Sequence, residues 1–536
     1  MGITATTKRR SARRARLQDR ADTRKASVAH GSRARRAVAA AAAGSALALL
    51  GLDAAAQTTQ IVPSVSARID VTDNVDLGPS GNRQTDAVTQ ITPALSISTQ
   101  GAHTRLNGTI SAPVVIHANG GGSTVNPNVN LAGNTELIRQ FLFVDASATV
   151  SQQYFSPFGP QPQGLVNATN NRYTAQSYQV SPYIQGEGPN GLSYGLRDGN
   201  TWTNASGAPT TTNRAYTNQI IGNVTRAPQP LGWALDYDRT ETRFSGQNAW
   251  RTEIERASAL WQPDPQYQFS ASAGYEDDRY TLSSFSGVTY GAGAKWRPND
   301  RTNVDADWEH RFFGTSYHVS VDHRMPLSVW SLSASRDATS TPQQFANLLA
   351  GQDVSTMLNQ LFASRFTDPT QRQNFVDQFI RDRGLPSALS SPVALYTQQV
   401  TLQEQVQATF GLLGARNSVF FTAFRSRNQA IAGTGIESTV AFPGQNDNTQ
   451  TGVDISWTYR LTPLYSLATS GQLSHAVANE SPGGHSNQGS LSVTLSAPLS
   501  PLTSTFVGAR YQRFSSDLQS GYYEMAAFAG ISHVFR

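Results

Sequence analysis

Ten charged side chains carry most of the chemistry this chain offers. Asp236, Asp238, Asp305, Asp307, Glu309, Asp322 and Asp454, with Arg311, Arg324 and Arg460, fall on the polar phase of segments whose other phase is apolar. Period-two alternation marks a strand with two unlike faces. Carboxylates and guanidiniums projecting from one such face have two uses. They can form a satisfied network that stiffens an interior, each cross-strand pair contributing roughly 0.2–1 kcal/mol. They can also line a hydrated, acid-rich conduit along which a hydroxyl-rich polymer slides without sticking. Rings of carboxylates favour cations, so an anionic polymer would need Arg311, Arg324 and Arg460 along its track.

Other reaction chemistry is sparse. The chain has no Cys, which removes thiolate nucleophiles, Cys-ligated metals and disulfides. It has no H-E-x-x-H motif, no G-x-S-x-G nucleophile elbow between a strand and a helix, and no phosphate loop. Gly120-Gly121-Gly122 reads as a turn. The nine His residues are scattered. His310 falls on an apolar phase, and His318 and His323 are placed near one another across a hairpin. No catalytic, cofactor-binding or metal-ligating residue is singled out, and the expectation is a protein that is not an enzyme and holds no cofactor. A barrel hydrolase assembled from separate strands is the third reading, behind a conduit and a non-conducting docking barrel.

The elements that must position these charges are strands. Residues 60–336 and 393–536 read as strand after strand, punctuated by Gly, Asn, Ser and Thr clusters. Val304, Ala306, Trp308, His310 and Phe312 share one face, opposite Asp305, Asp307, Glu309 and Arg311. Val453, Ile455, Trp457, Tyr459 and Leu461 oppose Asp454, Ser456, Thr458 and Arg460. The same pattern recurs over 142–151 and 491–497. In the last segment Tyr523, Met525, Ala527, Ala529, Ile531 and Phe535 alternate with Glu524, Gly530 and Ser532.

A soluble β-sandwich alternates too, but its strands usually run 5–6 residues. Here Ala227-Pro228, Gln262-Pro263 and Arg297-Pro298 recur every 35 residues. That period is one hairpin of two strands of about 9–13 residues, a short turn and a longer loop, as in a transmembrane barrel. Trp233, Trp250, Trp261, Trp296, Trp308, Trp330 and Trp457 fall near strand ends or on lipid faces, as interfacial girdles do. The expected fold is an all-β transmembrane antiparallel barrel of about 20–22 strands, best counted as 22. Pro113 and Pro182 fall inside strands and call for bulges. Glu404 falls on the apolar face of 400–410.

One region breaks the rhythm. Over 340–392, Met357, Leu358, Leu361 and Phe362 lie at helical spacing. Asp368-Pro369 caps a second helix whose stripe is Phe375, Val376, Phe379 and Ile380, with Gly384 and Pro386 closing it. This insert emerges on the outer side as a surface loop, a cap or a plug in the lumen.

Mean hydropathy is −0.38, unlike a helical membrane protein. The net charge of +5 is misleading, because residues 1–56 carry 12 Lys/Arg against Asp19, Asp22 and Asp53 and the rest is net −4. The basic balance therefore argues for no nucleic-acid partner. Arg33, Arg35 and Arg36, the apolar run Ala37–Leu52 and Ala54-Ala55-Ala56 read as a secretory signal cleaved before Gln57. The mature chain, 57–536, is then one barrel in a Gram-negative outer membrane, with lipid as its first partner.

Several stretches together resemble a family of outer-membrane β-barrels associated with the exosortase/PEP-CTERM system. They are Thr72-Asp73-Asn74-Val75-Asp76-Leu77, Val88-Thr89-Gln90-Ile91-Thr92-Pro93, Ser151-Gln152-Gln153 and Ser156-Pro157-Phe158-Gly159-Pro160. Trp296-Arg297-Pro298 with Arg301-Thr302, Arg311-Phe312-Phe313-Gly314, His323-Arg324 and Gly384-Leu385-Pro386 complete the set. The resemblance covers the mature chain. It implies a porin-like role in exopolysaccharide export, with polysaccharide or periplasmic export machinery as partners, and it supplies no catalytic residues.

Overall fold

The computed structural model describes residues 58–119, 122–207, 214–244, 249–348, 354–363, 366, 371–372, 375–376, 379–380, 392–393, 399–431, 446–480 and 483–535. The signal segment, Asp368-Pro369, Gly384, Leu385 and Pro386 lie outside the described residues.

The chain runs as β1 (Thr58–Thr72), β2 (Asp86–Gln100), β3 (Thr104–Ser111), β4 (Val114–His117), β5 (Ser123–Val125), β6 (Asn128–Ile138), β7 (Leu142–Tyr154) and β8 (Arg172–Gly188). It continues through β9 (Leu192–Ser206), β10 (Arg214–Arg226), β11 (Leu231–Phe244), β12 (Trp250–Asp264), β13 (Tyr267–Arg279), β14 (Ser284–Asn299), β15 (Thr302–Arg311), β16 (Gly314–Arg324) and β17 (Ser328–Thr339). Helices α1 (Thr341–Leu348) and α2 (Val354–Phe362) follow. The last strands are β18 (Thr401–Leu413), β19 (Asn417–Ala430), β20 (Asp447–Arg460), β21 (Ser466–Ala478), β22 (Gly484–Ser500), β23 (Thr503–Ser516) and β24 (Tyr522–Val534).

β24 pairs antiparallel with β1, Val534 opposite Ser64 through Ala526 opposite Thr72, so the sheet closes on itself. Closure removes the free edge that would otherwise template aggregation. Two staves are each built from two short strands. β4 pairs with β2 and β5, while β3 pairs with β6. The interruptions fall at Pro113 and Pro127, where a missing N–H cannot join the ladder. The 24 strands therefore form a barrel of 22 staves.

Pro182 needs no bulge. The β8–β9 register is the same on both sides of it, Val180 opposite Asn200 and Tyr183 opposite Arg197, and the ladder omits the two pairs between them. The absent donor interrupts the ladder locally without shifting the strand. The bulges fall at the short-turn end, in the register shifts at Glu136/Ile138, Trp261/Asp264, Trp296/Asn299 and Pro498/Ser500. Pro263 and Pro298 thus end β12 and β14, and do not form the turns themselves.

The outward face carries the apolar phase. Leu231, Trp233 and Leu235 on β11, Val288, Tyr290 and Trp296 on β14, and Tyr523, Met525 and Ile531 on β24 are all exposed. Such a continuous apolar surface is not tolerated in water and matches the hydrocarbon belt of a spanning barrel. Tyr267 stacks on Trp296, and Trp261 lies against Phe269, at the short-turn side. Trp233, Trp261, Trp296, Trp308, Trp330 and Trp457 face outward as expected. Trp250 does not. It is 3% exposed and packs inside against Phe244, Tyr280 and Val400. Phe312 also turns away from lipid, stacking on Phe285 at 4.8 Å; it lies just past the end of β15, where strand parity no longer governs. Glu404 does face outward, near the long-loop end of β18, where Tyr317 donates to it at 3.2 Å.

Candidate functional site in the barrel lumen

The described residues of the insert between β17 and β18 that pack around α2 lie against the inward face of the wall. Ser340 begins the insert with the Gln343 half of a capping box, its backbone N–H and hydroxyl both donating to Gln343 Oε1 at 2.9 and 2.8 Å. The helix α1 that follows was not legible in the apolar spacing. Val354, Met357, Leu358 and Leu361 of α2 are buried against Val329, Leu413 and Phe420 of the wall. Those three residues sit at the short-turn ends of β17, β18 and β19, on the inward phase. α2 therefore reaches down the barrel from the long-loop end almost to the opposite mouth. Phe362, Phe379 and Ile380 pack on this cluster, and the ring of Phe362 meets Phe375 and Phe379 at 4.9 and 5.5 Å. Gly411 permits the close approach, since a Cβ there would meet Phe420, Val329 and Met357 at 3.1–3.3 Å.

A second segment, 155–171 between β7 and β8, reaches past β1 to the inward faces of β22 to β24 at the long-loop end. Asn167 and Gln163 reach the inward faces of β22, β23 and β24, where Arg510, Gln512, Glu524 and Ser490 receive them. Arg510 donates to Glu524 Oε1 at 2.8 Å and Oε2 at 3.3 Å, to Asn167 Oδ1 at 3.2 Å and to the Gln163 carbonyl at 3.1 Å. Thr72 and Asn167 donate to Glu524 at 2.7 and 3.0 Å. Asp70 takes both nitrogens of Arg68 at 2.6 Å. The side chains of Arg510, Asp70 and Glu524 are 4%, 0% and 0% exposed. Two guanidiniums balance two carboxylates, which is what lets Arg510, Asp70 and Glu524 sit out of water, while Arg68 keeps partial access to solvent at 27% exposure. The Thr72–Leu77 and Ser156–Pro160 motifs converge here, Leu77, Ser156, Phe158 and Pro160 lining one pocket.

The sequence-selected charges all project inward, but they are not one set. Arg256, which spacing alone did not select, holds Glu309 with two bonds of 2.6 and 2.7 Å. Arg311 is clamped between Glu276 and Asp337, the latter at 2.5 Å. Asp278 lies beside Glu276 on the same inward phase of β13, and both are buried. Burial and this acid neighbour push the Tyr280 phenol, in the β13–β14 connection, well above its usual value, so it stays neutral. Glu276, Asp278, Glu309 and Asp337 outnumber Arg256 and Arg311. With Asp238 and Trp250, part of this group lines a cavity of about 240 Å³ beneath the roots of the insert. Asp238 accepts from Gln219 at 3.1 Å.

The remaining selected charges lie apart. Asp305 pairs loosely with Lys295 at 3.8 Å and accepts from Asn303 at 2.7 Å. Asp236, Asp307, Asp322 and Asp454 occupy separate inward positions. Arg324 donates to the Asp300 carbonyl at 3.1 Å near the short-turn mouth, and Arg460 ends β20 at that mouth. Arg311 is therefore no part of an anion track, because its two carboxylates already occupy it. His318 and His323 share strand β16 on opposite faces, not two arms of a hairpin. His323 faces outward and pairs with Thr302 at 2.9 Å. Among the described residues no group of three His, Cys, Asp or Glu side chains is placed to hold a metal.

No family model and no curated protein matches the chain. Among solved structures it is similar to OpdK of Pseudomonas aeruginosa with vanillate, at 9% identity and TM-score 0.34 over 89% of this chain and 99% of that one. It is also similar to the FrpB iron transporter of Neisseria meningitidis, at 8% and 0.45 over 88% and 81%. The siderophore receptor PirA of Acinetobacter baumannii matches at 9% and 0.43 over 89% and 81%. These likenesses carry no inference about ligand or mechanism. The closed sheet, its outward apolar belt and the short turns at one mouth make the chain a 22-stave outer-membrane β-barrel.

Proposed function

We propose that this barrel is a plugged outer-membrane conduit that passes a hydroxyl-rich polymer in exopolysaccharide export, in a pathway linked to the exosortase/PEP-CTERM system. The observation that carries the reading is the seating of α2 on Val329, Leu413 and Phe420 inside the lumen. A barrel of this width leaves a channel unless something fills it, and a filler on a tether can leave. The inward carboxylates, amides and hydroxyls supply a lining that hydrates a polymer without holding it tightly. Transport of this kind needs no bond made or broken by the protein.

The filled lumen also supports a second reading, a non-conducting barrel that docks partners at the surface. A strain lacking this chain separates the two when complemented with the intact protein or with the insert removed. Under the conduit reading the deletion strain retains polymer in the periplasm and secretes little. Normal secretion by the deletion strain would remove polymer export from the proposal.

A further inference from the structure

The structure also assigns a binding site for an acidic sugar residue, a hexuronate, in the short-turn half of the lumen; this deepens the conduit reading and rests on it. Arg105 on β3, Asn107 beside it, Asn134 on β6, Asp145 on β7, Gln179 on β8 and Arg197 on β9 line one recess of about 400 Å³. That volume lies within the range of small-molecule sites. The register puts these side chains on one face: Arg105 opposite Asn134, Asn134 opposite Asp145, and Tyr183 opposite Arg197.

One side of the recess is fixed. Arg197 pairs with Asp145 at 2.7 Å and lies over the Tyr183 ring at 4.2 Å. Asn134 donates to Asp145 at 2.5 Å and to the Tyr183 hydroxyl at 3.1 Å. Tyr183 in turn stacks on Phe143 with centroids 5.1 Å apart. Arg105 is different. It is exposed to the recess, and among the described residues it makes no ion pair and no side-chain hydrogen bond. Two guanidiniums thus face one carboxylate, and the uncommitted one presents a planar fork suited to a carboxylate. The amides of Asn107 and Gln179 offer donors and acceptors for hydroxyls. A ligand with one carboxylate and several hydroxyls satisfies both features, whereas a neutral sugar leaves Arg105 unanswered. A free sugar acid and a polymer-linked residue share this chemistry.

Isothermal titration of the intact chain in detergent, with D-glucuronate, a tetrameric uronide and D-glucose, tests the assignment. Glucuronate is expected to bind more tightly than glucose, and Arg105→Gln to weaken it about tenfold, the loss of roughly one charge-assisted hydrogen bond. Arg105→Lys should restore part of that loss, and glucose should be indifferent to either change. Tetramer binding at least as tight as the monomer assigns the site to polymer; tetramer exclusion assigns it to free sugar acids. Equal affinity for glucose and glucuronate overturns the proposal, as does unchanged affinity in Arg105→Gln. Arg105 holds nothing in place, so the variant should keep its far-UV β spectrum. Failure here with an insert-deleted chain that still conducts removes this site and leaves the conduit reading standing.

Discussion

Replacing Arg510 with Met is expected to destabilise the folded barrel by about 3–5 kcal/mol, the usual penalty for removing one partner of a buried ion pair. Glu524 would lose both guanidinium bonds while remaining fully out of water, and Asn167 and the Gln163 carbonyl would lose their donor. The loss should be local first. Segment 155–171 depends on these bonds, so protease cleavage within it should appear at denaturant concentrations where the wall is intact. Urea-dependent unfolding in vesicles or detergent, read by tryptophan fluorescence, measures the whole effect. Adding Glu524→Leu to the Met variant should recover more than half of it, since Arg68 and Asp70 then remain as a neutral pair. The half-exposed pair Arg427–Asp447 serves as the control, and its disruption should cost about 1 kcal/mol or less.

Leu358→Asp is expected to unseat the plug without unfolding the wall. Leu358 is fully buried in the cluster with Val329, Met357, Leu361 and Phe420. Truncating a buried Leu costs about 2–5 kcal/mol, and a carboxylate placed there without a partner costs more. That penalty applies only while α2 is seated, so it shifts the plug outward. A shift of about 3 kcal/mol raises the unseated fraction roughly a hundredfold. Open-channel occupancy in planar bilayers reads this directly, and the heat-modifiable gel mobility of the barrel should be unchanged. A variant that fails to fold points instead to α2 as an integral part of the wall.

The barrel was legible because a period of two is imposed on every stave by the same two solvents. Lipid outside and polar groups inside make Trp308 alternate with Asp307 and Glu309 whatever the neighbouring strands are, and the 35-residue rhythm set the stave count. The insert was legible as helix for a similar reason, since Met357, Leu358, Leu361 and Phe362 repeat at helical spacing. Where it lies was not. A surface loop and a plug carry the same amphipathic stripe, and the deciding apolar partners, Val329, Leu413 and Phe420, belong to distant strands. Trp250 was misplaced because an aromatic at a strand end suits a girdle and an interior cluster equally. The charged interior was half legible. Parity fixed the face of Asp305, Glu309 and Arg311, but partner choice depends on registers across several staves, which is why Arg256, Glu276 and Asp337 went unselected. Arg510 had a sequence signal that could have found it. It shares the inward phase of β23 with Gln512, directly before the strand in which Glu524 breaks an apolar run.

The most direct test of a lumen closed by its own insert is single-channel conductance in planar bilayers, comparing the intact chain with one lacking residues 341–399. Thr339 and Thr401 are register partners, so a short Gly- and Asn-containing turn can bridge them. The intact chain should show small or rare openings, and the deletion should show a stable, weakly voltage-dependent conductance of wide-pore size. Equal conductance from the two proteins contradicts the plug, because it means the insert does not stand in the path of ions.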